Sequence, residues 1–193
     1  MLAFAGAIFL MLISPGPGVL TTAGIGSGFG WGPGLRFLIG LFIGTNAVAV
    51  LVVSGLITLV PREVEIALLI ASCLYFAYLA LKIAFAGAKV GFMAADSAPS
   101  MWNGITLQFI NPKAYAVNTL LFTGWHFWGG GLDEILVKFL IINVVWIPVH
   151  LIWLGAGVRI RQLDLPARTQ RTINILMALA LMGVVLMAAY ATL

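Results

Sequence analysis

Six apolar windows, near residues 2–24, 36–59, 65–86, 103–124, 135–157 and 173–192, each run for about 20 residues with at most two charges. That length matches a hydrocarbon layer about 30 Å thick at about 1.5 Å per helical residue. Within such a layer no water satisfies backbone N–H and C=O groups, so each segment has to close its own hydrogen bonds as a helix. Only 8% of the 193 residues are charged, against about 25% in soluble domains. The sequence therefore predicts an all-α integral membrane protein of six transmembrane helices, one domain over 1–193. The first window has no basic stretch before it and no small-residue cleavage site after it, so it reads as a span rather than a leader.

Two of these windows carry a helix-start signature in their middle: Ser14-Pro15-Gly16-Pro17-Gly18 and Asn111-Pro112-Lys113. Ser or Asn before Pro reads as an N-cap followed by the first helical residue. Each proline also removes a backbone donor and clashes with the carbonyl four residues back. The prolines thus predict freed carbonyls at Met11, Ile13 and Gln108, with helices 1 and 4 broken near mid-membrane. Breaks at corresponding places in two halves of a polytopic chain point to a substrate site.

A shift of 97 positions lays Ser14-Pro15 on Asn111-Pro112, Asn46 on Asn143, and Arg62 on Arg159. Three spans per half is an odd number, so the halves would insert with opposite hand. The predicted architecture is two inverted three-helix repeats, about 1–86 and 103–193. Their half-helices then point opposite ways, and both N-terminal ends, which favour anions, converge on one volume.

Lys113 sits second in one of these half-helices, about 15 Å from the inner edge. A lysine at that depth costs roughly 2.5–3.5 kcal/mol without a partner or a wet cavity. The carboxylates Glu63, Glu65, Asp96, Asp133, Glu134 and Asp164 all read as loop or helix-end residues. The expected partner of Lys113 is therefore an anionic ligand, and freed backbone carbonyls of 11–18 are available to an ammonium. Asn46, Asn143 and Gln108 are candidates to line the same cavity, with interhelical hydrogen bonding as the alternative for the asparagines and the preferred reading for Thr45. His150, just after Pro148, is a candidate proton carrier, because histidine titrates near neutral pH, with a satisfied packing histidine as the alternative.

Lysine and arginine counting sets orientation. Arg36, Lys82, Lys89, Arg159, Arg161, Arg168 and Arg171 flank loops one, three and five, against Arg62 and Lys138 in loops two and four. The excess places the first set in the cytoplasm and both termini outside, with Trp125-His126-Phe127-Trp128 at the outer interface. The net charge of +4 is spread through these loops, which argues against nucleic acid as a partner. Gly26/Gly30, Gly40/Gly44 and Ala80/Ala84 have the spacing that lets helices approach closely, within one chain or in a homo-oligomer. The single cysteine, Cys73, excludes an intrachain disulfide.

These features resemble the lysine-exporter (LysE-type) translocator family. Ser14-Pro15-Gly16-Pro17 is similar to its first-span motif, Asn111-Pro112-Lys113-Ala114 to its fourth-span motif, and Gly40 and Gly44 fall in its glycine-rich second span. The resemblance implies export of amino acids or related small metabolites across a bacterial cytoplasmic membrane, driven by an ion gradient. Many relatives carry Asp or Asn after the first motif, where this chain has Gly18. Neutral or anionic cargo is therefore expected rather than cationic amino acids. The spans hold no nucleophile–base pair and too few ligands for a metal site, so neither enzyme chemistry nor a metal or cofactor is expected. The rival reading is a non-transporting assembly or signalling subunit of the membrane.

Overall fold

The computed structural model describes residues 1–55, 61–85, 98–163 and 165–190. Lys89, Asp96 and Asp164 lie outside the described residues, as do the side chains of Glu65 and Lys82. All regular structure among the described residues is helical: α1 (Leu2–Ile13), α2 (Pro17–Phe29), α3 (Trp31–Val53), α4 (Arg62–Ala84), α5 (Met101–Phe109), α6 (Pro112–Thr123), α7 (Leu132–Gln162) and α8 (Ala167–Tyr190). Two of them, α3 with 23 residues and α7 with 31, are long and apolar enough to cross a membrane. The pair α1–α2, bent by 57° at its break, makes a third if it is counted as one span.

The chain breaks where the prolines fall, but the first break opens differently from its reading in the sequence. Gly16, not Ser14, is the N-cap of α2, and Pro17, not Pro15, is its first residue. Ser14 instead ends α1, with extended backbone and a hydroxyl that donates to the Met11 carbonyl at 2.7 Å. A cap at Ser14 would need Gly16 to be helical, whereas Pro17 drives the residue before it to extended backbone, which Gly16 adopts (φ −168°, ψ 171°). The second break follows expectation: Asn111 caps α6, its side chain accepting the Lys113 N–H at 3.1 Å.

Lipid tails are as apolar as leucine, so helices in a bilayer associate through close packing rather than through the hydrophobic effect. The most extensive packing here is of α2 along α7 and α3 along α5, followed by α4 along α8. Glycines make the first two possible. A Cβ on Gly157 would strike the Ala23 carbonyl, and one on Gly26 would lie 2.6 Å from the Leu154 carbonyl. Gly40 likewise faces the Met101 carbonyl, and Gly104 the Phe37 carbonyl. Gly26 and Gly40 thus serve contacts within the chain.

A second anchor lies at the start of α7. Glu134 and Lys138, one helical turn apart, pair at 2.9 Å and are only 1% and 2% exposed. Glu134 also accepts the N–H groups of Phe127, Trp128 and Gly130, each at 3.1 Å, while Lys138 donates to the Phe122 and Trp125 carbonyls. This ties the loop after α6 onto α7, and Phe4 of α1 packs edge-on against Trp125 and Phe127. Lys138 is therefore a buried partner of Glu134 rather than a loop charge, and Glu134 is not a solvated helix end. Because α7 begins at Leu132, both side chains turn inward under the loop.

Candidate functional site

The two breaks meet. Lys113, second residue of α6, reaches across to the first break and donates from Nζ to the Ser14 carbonyl at 2.9 Å and the Ser14 hydroxyl at 2.8 Å. Gly16 makes room for it: a Cβ there would lie 3.0 Å from Lys113 Cδ and 3.1 Å from Nζ. Two of the three ammonium protons thus go to neutral oxygens. Among the described residues no carboxylate pairs with Lys113. The Ser14 carbonyl is accordingly occupied rather than open to an ammonium. The Met11 and Gln108 carbonyls are also satisfied, the latter by the Asn111 N–H at 3.2 Å.

Beside this contact lies a cavity of about 50 Å³, above the size needed to hold water. Gly16, Gly18, Gln108, Asn111, Lys113 and His150 of the sequence candidates line it, as does Thr45. Its donors follow from a chain of fixed orientations. Asn111 Oδ1 accepts the Lys113 N–H, so Asn111 Nδ2 is the donor to Gln108 Oε1 at 3.0 Å. Gln108 Nε2 is thereby left without a protein partner among the described residues. The N–H groups of Gly18 and Val19, at the start of α2, have no hydrogen-bond acceptor there either, since the first turn closes with Leu20 on Gly16. Asn111 takes the Lys113 and Ala114 N–H groups of α6, whereas the Gly18 and Val19 N–H groups of α2 stay open among the described residues, the feature that attracts anions.

Acceptors stand on another side. His150, 3% exposed, stacks on Trp146 with ring centres 3.7 Å apart. Its Nδ1 lies 2.9 Å from the Trp146 carbonyl, which can only accept, so Nδ1 carries hydrogen. Nε2 then faces Gly18, 3.9 Å from where a Cβ would stand. Asn118 spends its amide nitrogen on the Ala114 carbonyl at 2.8 Å, leaving Oδ1 as an acceptor at the cavity.

Asn46 and Asn143 are not among the residues lining the cavity. They bond each other reciprocally, Asn46 Nδ2 to Asn143 Oδ1 at 3.1 Å and Asn143 Nδ2 to Asn46 Oδ1 at 2.9 Å. Ser14, Pro15 and Pro17 border the first break without lining the cavity, and Pro112 opens α6 behind Asn111. Asn118 and Trp146 were missed in the sequence. An asparagine at the seventh residue of a half-helix, two turns from the break, was the available signal for the first. No group of three or more His, Cys, Asp or Glu side chains is placed to hold a metal ion among the described residues. No family model, curated protein or solved structure matches this chain.

Proposed function

We propose that the protein is a secondary transporter that exports neutral or anionic amino acids, or related small carboxylate-bearing metabolites, across a bacterial cytoplasmic membrane. The observation that carries this reading is the Lys113 ammonium. It borders a small, mainly apolar cavity with a few polar groups at the meeting of two chain breaks, held by neutral oxygens and, among the described residues, by no carboxylate. A cargo carboxylate there finds a positive charge, the Gln108 amide and the two open N–H groups of α2. A cargo ammonium finds Asn118 Oδ1 and His150 Nε2. His150 is also the group in this cavity suited to carry a proton.

The six-span inverted repeat belongs to the same proposal. Exchanging α1–α4 for α5–α8 in order turns the α2–α7 packing into α6–α3, and α1–α7 into α5–α3; all four packings are present. The Asn46–Asn143 pair supports it too, because two residues one repeat length apart that bond each other reciprocally sit on the axis of such an exchange. Membership of the lysine-exporter family, and both termini outside, rest on the motifs and on the charge count.

The test is efflux from proteoliposomes loaded with a panel of small neutral and acidic amino acids and short-chain hydroxy acids, with and without a proton gradient. Wild-type protein moves at least one member faster than empty vesicles do, and Lys113→Met abolishes that flux while remaining monodisperse. If no member moves, or if Lys113→Met moves it at the wild-type rate, the proposal is wrong.

A further inference from the structure

Glycines divide the helix contacts of this protein into two kinds. Where α2 meets α7, Gly26 faces the Leu154 carbonyl and Gly157 the Ala23 backbone. Where α3 meets α5, Gly40 faces the Met101 backbone, Gly44 the Ile105 carbonyl, and Gly104 the Phe37 carbonyl. These are backbone-on-backbone contacts, which cannot give without breaking the packing. Between α3 and α7 the neighbours are side-chain ends: Gly34 faces the Leu154 methyls, and Gly155 the Trp31 ring at 3.4 Å. The same holds at the cavity, where Gly16 faces the Lys113 side chain and Gly18 a Leu41 methyl at 3.5 Å. Side-chain ends swing between rotamers at small cost.

We infer that α1, α2 and α7 form one rigid unit and α3, α5 and α6 a second, and that the two rock against each other. The Asn46–Asn143 pair is the pivot, and the Lys113–Ser14 contact is a latch that cargo releases. The inference rests on the transport reading only for what releases the latch. α1 joins the first unit by packing on α7, with Phe4 and Ile8 in an apolar cluster with Ile142 that also takes in Leu121 of α6. α6 joins the second by packing on α3. The cavity lies between the units: Gly18, Val19 and His150 come from the first, and Thr45, Gln108 and Lys113 from the second.

Two polar side-chain links cross this boundary away from the covalent connections at Gly30 and between α6 and α7, beside apolar contacts such as Phe42 on Trp146. The asparagine pair satisfies itself and lies away from the cavity lining, so a ligand has no reason to open it. Lys113 to Ser14 is the opposite case. The ammonium is at the cavity, and a cargo carboxylate is a stronger acceptor than a neutral carbonyl or hydroxyl. Taking Nζ off Ser14 removes the polar tie between the two breaks and leaves the pivot intact.

The test is spin-label distance measurement on a Cys73→Ser background, with labels at lipid-exposed positions. Leu10 and Ile152 form a pair within the first unit, Ile39 and Leu120 a pair within the second, and Ile39 with Ile152 spans the boundary. In Lys113→Met the within-unit distributions superimpose on wild type, and the cross-boundary distribution shifts or broadens. Gly16→Leu is the second variant. Its side chain takes the space of the lysine end, on extended backbone (φ −168°) open to any residue. It gives the same result with Lys113 retained. An unchanged cross-boundary distance in both variants, or within-unit distances that move as much, overturns the inference. Loss of the cross-boundary shift when Asn46→Cys and Asn143→Cys are disulfide-linked overturns the pivot. Efflux is read separately. A protein that transports nothing while its units still part on release of Lys113 refutes the transport reading and leaves this one standing.

Discussion

Replacing either asparagine of the Asn46–Asn143 pair should be unequally costly, and the structure says which one matters more. Asn46 Nδ2 has a second acceptor, the Phe42 carbonyl one turn back on its own helix at 2.9 Å. In Asn143→Ala, Asn46 therefore keeps one hydrogen bond and strands only its Oδ1. In Asn46→Ala, Asn143 loses both partners, and no other acceptor or donor stands near it among the described residues. Interhelical hydrogen bonds in membranes average about 0.6 kcal/mol and reach about 1.7, and a stranded polar group adds about 1–3 kcal/mol. Asn46→Ala should thus cost about 2–3 kcal/mol and Asn143→Ala about 1–2. The double alanine variant strands nothing, so it should fall short of the sum by about 1–2 kcal/mol, well above the scatter of about 0.3–0.5 for independent sites. Reversible unfolding of all four proteins in mixed micelles, with rising detergent denaturant, measures the cycle. Additive costs, or a larger cost for Asn143→Ala, would refute the reciprocal pairing.

Glu134→Ala leaves Lys138 buried without its carboxylate and three loop N–H groups without an acceptor. It should cost about 3–5 kcal/mol, read in the same unfolding assay, with faster proteolysis near 127–130 as the local sign. Gly104→Ala forces a methyl into the Phe37 carbonyl and should cost at least about 1–3 kcal/mol. Gly32→Ala, where nothing lies within 4 Å, should be neutral or stabilising, and thermal melts of the two distinguish packing from glycine content. Asn111→Ala removes the α6 cap and the donor that orients Gln108, costing about 1 kcal/mol. Ser14→Ala should cost less, because its backbone carbonyl still accepts from Lys113; a cap-sized loss at Ser14 would restore it as the start of α2.

Much of the local structure was legible before any coordinates. Both breaks and the Asn111 cap follow from proline and capping chemistry, which acts within one turn of helix. The error at Ser14 is instructive for the same reason. Two prolines in three residues offer two helix starts, and the chain took the later one, because Pro17 drives Gly16 to extended backbone. Lys138 reads as a loop charge in the sequence because the carbonyls it meets, those of Phe122 and Trp125, come from 16 and 13 residues earlier and reach it only when the loop folds back.

What sequence alone determined is therefore everything that hydrogen-bond accounting in an apolar medium dictates: helices throughout, interruptions at the prolines, and a lysine next to one of them. Which helices pack backbone to backbone, and that the two asparagines meet each other rather than the cavity, were settled only in three dimensions. Such contacts depend on glycines 26, 40, 104 and 157 finding carbonyls on helices distant in the chain. A glycine carries no side chain whose chemistry could announce its neighbour. The partner surface exists only once the helices have been brought together.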